Sequence, residues 1–157
     1  MKKIILIILM LVWIIVSLFI RLYGLEKSPI TVGYDEAALG YNAYSILLTG
    51  KDEYGTSFPL SLRSFNDFKP ALYAYVAIPF IRFMGLSQTS TRAPSAILGV
   101  FSLIFLLLIF IKISGKKGFV PRIILGVISF FPWRIHFSRV AFETNVSMAF
   151  FTALFGA

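Results

Sequence analysis

Apolar runs too long for a soluble core constrain this chain more than anything else in it. Ile4–Ile20 carries no charge along its length, and Pro94–Ile113 carries none before Lys112. Runs of roughly 17–25 apolar residues match the hydrocarbon thickness of a bilayer. Charged residues make up 14% of the chain and hydrophobic ones 58%, whereas about a quarter of a soluble domain is charged. The expected class is an integral membrane protein, all-α and polytopic.

The net charge of +8 would suggest nucleic acid in a soluble protein. Here the basic residues flank apolar runs, where the positive-inside bias and lipid headgroups account for them. No basic patch with interleaved aromatics stands on a polar background, so the expected partners are membrane lipids and not nucleic acid. The absence of cysteine excludes disulfides, thiolate metal sites and cysteine nucleophiles. His136 has no second histidine to join it, so a histidine-based metal site is not expected. Met1-Lys2-Lys3 followed by Ile4–Ile20 has the outline of a secretory signal. No small-x-small cleavage site follows, and Arg21-Leu22-Tyr23-Gly24-Leu25 stands there instead. An uncleaved anchor is the better reading.

The first span is expected over 4–22. Residues 23–93 are mixed and polar, punctuated by Pro29, Gly33, Gly50, Gly55 and Pro59, and they hold every acid except Glu143. Asp35–Leu48 reads as a helix, with Asp35 and Glu36 at its positive end and Thr49-Gly50 closing it. Asp35, Leu39 and Asn42 fall on one face of that helix. Ala71–Gly85 is apolar and aromatic but is interrupted by Pro79 and Arg82. At about 1.5 Å per residue it reaches only ~22 Å, short of a core of ~30 Å. If it crossed, Lys112, Lys116, Lys117 and Arg122 would lie outside with no acids beside them. Lying along the interface, it leaves those four inside with Lys2 and Lys3, as the positive-inside rule requires.

Interfacial helices are therefore expected at 35–48 and 71–85, within one external loop over 23–93. A second span follows at 94–113, a cytoplasmic turn at Gly115-Lys116-Lys117-Gly118, and a third span at 119–137. Ser138–Glu143 makes a short external loop. Asn145–Ala157 is apolar without a polar flank, so it reads as the start of a fourth span in a partial frame.

Each local motif has a functional and a structural reading. In Gly33-Tyr34-Asp35-Glu36, a carboxylate at the membrane surface is placed to act as general base toward a hydroxyl or amine. The same acids also suit an ordinary first helical turn. In Phe68-Lys69-Pro70-Ala71-Leu72-Tyr73, a lysine at the mouth of an interfacial helix is placed to meet a lipid-borne phosphate, although interfacial lysines commonly snorkel. Ser138-Arg139-Val140-Ala141-Phe142-Glu143 puts a cation and an acid at a membrane exit, where they can simply pair with each other. Arg92, before Pro94, stands where an anchor is expected.

Taken in order, Gly33-Tyr34-Asp35-Glu36, Lys69-Pro70-Ala71-Leu72-Tyr73, Arg92-Ala93-Pro94-Ser95-Ala96-Ile97-Leu98-Gly99 and Ser138-Arg139-x-Ala141-x-x-Glu143 resemble a known family. They are similar to the N-terminal portion of the GT-C membrane glycosyltransferases, in the family 39-like branch of protein O-mannosyltransferases and aminoarabinose transferases. That resemblance implies a polytopic GT-C type fold on the cell membrane. It also implies transfer of a sugar, usually with inversion, from a polyprenyl-phosphate donor to a lipid or protein acceptor on the external or periplasmic face. It implies a catalytic Asp35, with Glu36 beside it, and Glu143 as a second acid opening the next external loop. Lys69, with Arg139 and Arg92, would hold the donor phosphate. The chain departs from the family where Glu143 stands for the usual Asp and Lys69-Pro70-Ala71 for Lys-Pro-Pro. In the aminoarabinose branch an acid that is a candidate to touch a metal precedes the lysine; Phe68 stands here. No cofactor is expected, and a divalent metal is left open.

The competing readings are a non-catalytic membrane protein, with its external acids merely solvated, and an inactive gene fragment. A transporter is disfavoured, because the ionisable groups expected inside its spans are missing from 4–20 and from 94–111.

Overall fold

The structure, a computed structural model, describes residues 2–64, 67–114 and 119–156. Helix α1 (Lys2–Leu22) leads into an irregular stretch and then α2 (Tyr34–Thr49). A short hairpin of β1 (Ser61–Ser64) and β2 (Asp67–Pro70) follows, then α3 (Leu72–Met84) and the long α4 (Gln88–Ser114). The chain continues through α5 (Phe119–Phe130), α6 (Pro132–Ser138) and α7 (Glu143–Gly156). The protein is mostly helical.

Helix α4 is the axis against which α1, α3, α5 and α7 pack. Its 27 residues span about 40 Å at ~1.5 Å each. It is the one helix among the described residues long and apolar enough to cross a membrane. Many large apolar side chains nevertheless face outward, among them Ile15 and Phe19 on α1, Val127 on α5 and Leu154 and Phe155 on α7. An apolar exterior of that extent marks a surface that meets lipid or another protein.

The polar stretch after α1 folds back over the end of this bundle. Leu39, Ala43 and Ile46 of α2 pack against Tyr73, Ala74, Ala77 and Ile81 of α3. The alanines let the two helices approach closely, and Gly40 does the same toward α4. A Cβ at Gly40 would stand 2.7 Å from Thr91 Oγ1. Helix α2 ends as its sequence suggests: Gly50 is left-handed and donates its N–H to Ile46 O at 2.9 Å. The loop beyond is held by Asp52, whose Oδ1 accepts the N–H groups of Tyr54 and Thr56 at 3.0 and 2.7 Å. Asn42 exchanges hydrogen bonds with Glu53 through both ends of its amide.

Three expectations change. The fold is not purely α, because residues 61–70 pair as an antiparallel hairpin in which Leu62 opposes Lys69. Alternating burial, with Leu62 and Ser64 inward, suits a strand, yet four residues are too few to announce one. Helix α4 begins at Gln88, ahead of Pro94. Ser87 and Ser90 cap each other reciprocally, each side-chain oxygen accepting the other's backbone N–H at 3.1 and 3.0 Å. Arg92 therefore lies inside the helix. The run 119–137 is two helices: Phe131 is extended before Pro132, which lacks an N–H to continue the ladder. The helix expected over 71–85 is present over 72–84, with Gly85 of positive φ beyond its end. The turn expected at 115–118 lies outside the described residues.

Candidate active site

The two acids of the first turn of α2 have opposite surroundings. Asp35 points outward with 62% of its side chain exposed and forms an ion pair with Lys69. The hairpin delivers that lysine: β1 packs beside α2, and Lys69 is carried on β2, its partner strand, opposite Leu62. The Lys69 side chain is only 14% exposed. A largely buried cation thus meets a carboxylate that stands mostly in solvent.

Glu36, one position on, is buried and turned toward α4. Its Oε1 accepts from Arg92 Nε at 2.7 Å and its Oε2 from Arg92 Nη2 at 2.8 Å. Oε1 also accepts the Ala141 N–H at 3.0 Å. Arg92 completes its set on the carbonyls of Leu25, Pro29 and Thr31 at 2.6, 2.9 and 3.2 Å. All five N–H donors of its guanidinium are spent inside the protein. This fork-to-fork pair ties the end of α1, the loop before α2, α4 and the loop before α7 together.

Arg139 is occupied in the same way. It donates to the carbonyls of Ile20, Gly24 and Ser28 at 2.6, 3.0 and 3.0 Å. These lie at and just beyond the C-terminal end of α1, where free carbonyls favour a cation. Burial draws its guanidinium below the usual value, and the nearby charge of Arg92 adds to that effect. Arg92 and Arg139, both expected at a donor phosphate, instead hold protein oxygens. Glu36, expected beside Asp35 in catalysis, holds Arg92.

Glu143 opens α7 and is partly buried. Its carboxylate has no hydrogen-bond or ion-pair partner among the described residues, and no such contact joins it to Asp35 or Lys69. It lies in the field of Tyr73, whose hydroxyl donates to Thr91 O at 2.7 Å. Burial pushes the Tyr73 phenol well up, and the charges of Glu36 and Glu143 add to it. Among the described residues no cluster of three or more His, Asp or Glu side chains could hold a metal ion.

A pocket of about 260 Å³ opens between the first turns of α2 and α4, lined by Val32, Glu36, Gly40, Tyr41, Gln88 and Thr91 among others. Gln88 Oε1 is buried without a partner.

Two residues were missed in the sequence. Arg21 is wholly buried and Arg134 donates to Ser102 Oγ at 2.7 Å. The signal is present in the sequence, since an arginine within an apolar run is a functional candidate by default, and both fall within the expected spans 4–22 and 119–137. Comparison with known proteins finds no matching family model, no matching curated protein and no matching solved structure.

Proposed function

We propose that this chain carries the N-terminal elements of a polytopic GT-C type glycosyltransferase, which transfers a sugar from a polyprenyl-phosphate donor on the external face of the cell membrane. The observation that carries the reading is the Asp35–Lys69 pair. Two residues far apart in the chain are the ones the resemblance names as base and phosphate contact, and they form an ion pair whose carboxylate side is exposed.

In this reading the phosphate lies at headgroup depth, beside α2 and α3. The donor phosphate displaces Asp35 from the Lys69 ammonium and frees the carboxylate. Asp35 takes the proton of an acceptor hydroxyl or amine, and the acceptor atom attacks C1 of the sugar from the face opposite the phosphate. The C1–O bond breaks, and its electron pair leaves with the phosphate, whose growing charge Lys69 stabilises. Glu36, Arg92 and Arg139 hold the scaffold that aims the pair.

The test uses the whole protein in its membrane, supplied with a labelled polyprenyl-phosphate sugar. Incorporation into external acceptors is expected, and Lys69→Gln should raise the apparent KM for the donor at least tenfold. Incorporation no greater than in membranes lacking the protein would remove the reading.

A further inference from the structure

Arginines account for most of the charge held inside the helical assembly, and they are not all balanced. Arg92 is neutralised by Glu36, and Arg139 is held by carbonyls at the end of α1. Among the described residues, Arg21 and Arg134 pair with no acid, and each keeps a buried Nε without a partner. Arg21, wholly buried, donates through Nη1 to Ser17 O at 3.1 Å and through Nη2 to Ser129 O at 2.8 Å. Its Nε is buried without a partner, as are Arg134 Nε and the nearby Ser17 Oγ. Arg134 reaches Ser102 Oγ, which itself donates to Gly99 O at 2.8 Å. A Cβ at Gly99 would stand 3.9 Å from Arg21 Nε. The two guanidiniums therefore lie against successive turns of α4, flanked by neutral serines. Neither takes part in the Asp35–Lys69 or the Glu36–Arg92 ion pair.

Burying like charges together without an opposite charge is unfavourable, and buried polar atoms left unpartnered add to the cost. The missing charge must then come from outside the chain. Arg134 is only partly buried, and its neighbours in the chain Phe130, Phe131 and Trp133 are outward aromatics. A cation beside exposed aromatic side chains suits headgroup depth in a bilayer. A guanidinium is also well shaped for two parallel hydrogen bonds to phosphate oxygens.

We propose that Arg134, with Arg21 behind it, binds the phosphate of an anionic membrane lipid where α1, α4, α5 and α6 meet. Arg134 makes the contact, and Arg21 acts through its charge. The site shares no residue with Asp35–Lys69. It rests on the membrane reading and not on glycosyl transfer, so a protein that moved sugar normally without binding such a lipid would sink this inference alone.

The full chain, purified in an uncharged detergent, is heated with phosphatidylglycerol, phosphatidylcholine or inorganic phosphate. Phosphatidylglycerol should raise Tm by several degrees, through its preference for the folded state, and the other two should not. Arg134→Gln should weaken that binding at least tenfold and Arg21→Gln less, while Arg82→Gln, on the exposed side of α3, leaves it intact. Ser102→Asp supplies a carboxylate within reach of Arg134, so it should raise Tm without lipid and blunt the lipid effect. That variant keeps the question answerable if Arg134→Gln does not fold. Equal stabilisation by phosphatidylcholine or by inorganic phosphate would overturn the proposal. So would an undiminished phosphatidylglycerol effect in Arg134→Gln or in Ser102→Asp.

Discussion

Asp35 and Glu36 are adjacent in the chain and differ by one methylene, yet a helical step of roughly 100° gives them different occupations. Glu36 turns into the packed side of α2, where it is 2% exposed and meets the single guanidinium able to compensate it. Asp35 turns to the open side and meets a lysine that can exchange partners. Both are ion pairs, but burial decides what each does. A buried, fully hydrogen-bonded pair cannot release a partner without leaving a bare charge behind. In Asp35–Lys69 the carboxylate is 62% exposed, so water competes for it and the pair is held less firmly than a buried one. The scaffold acid and the acid proposed for chemistry are thus distinguished by position on the helix and not by residue type.

That contrast can be broken most severely at Glu36. Glu36→Gln should destabilise by about 3–5 kcal/mol, because Arg92 stays buried without its counter-charge. Glu36→Leu combined with Arg92→Met should cost much less. Denaturant unfolding in detergent reads both, and equal losses would show that the pair is not what holds these segments together. Next in size is Gly40→Ala, expected to cost about 1–3 kcal/mol by overpacking against Thr91. Thr91→Ala in the same chain should recover most of that. Additive losses in the double variant would contradict the close approach of α2 to α4. Asp52→Ala, which strands the Tyr54 and Thr56 N–H groups, should cost about 1–2 kcal/mol and expose residues 52–56 to faster amide exchange. Smallest of all is the effect on folding of Lys69→Gln, below about 1 kcal/mol. A large loss there would make Asp35–Lys69 a structural pair after all.

The sequence revealed local features well and long-range ones poorly. The acidic first turn and Thr49-Gly50 delimit α2 to within a residue, since caps and dipole act over a few positions. The aromatic run before Gly85 likewise marks α3. The occupation of Glu36 was not legible, because its partner lies 56 residues away and only the fold brings them together. The same holds for Arg139, which reads locally as a partner for Glu143 but is drawn to carbonyls 119 and 115 residues distant. The break at Phe131 is legible in principle, since Pro132 announces it, but the apolar and aromatic residues on both sides of it read as one span. Pro94 misled in the opposite direction. Proline favours a first helical turn, but Ser87 and Ser90 begin α4 further upstream.

The central claim is that Asp35 performs chemistry while Glu36 maintains structure, and Asp35→Asn tests it most directly. The measurement is the rate of sugar transfer from a polyprenyl-phosphate donor per folded, membrane-inserted molecule of the whole protein. The account predicts that Asp35→Asn inserts and folds like the wild type and transfers at background rate. Transfer at the wild-type rate by that variant would contradict it.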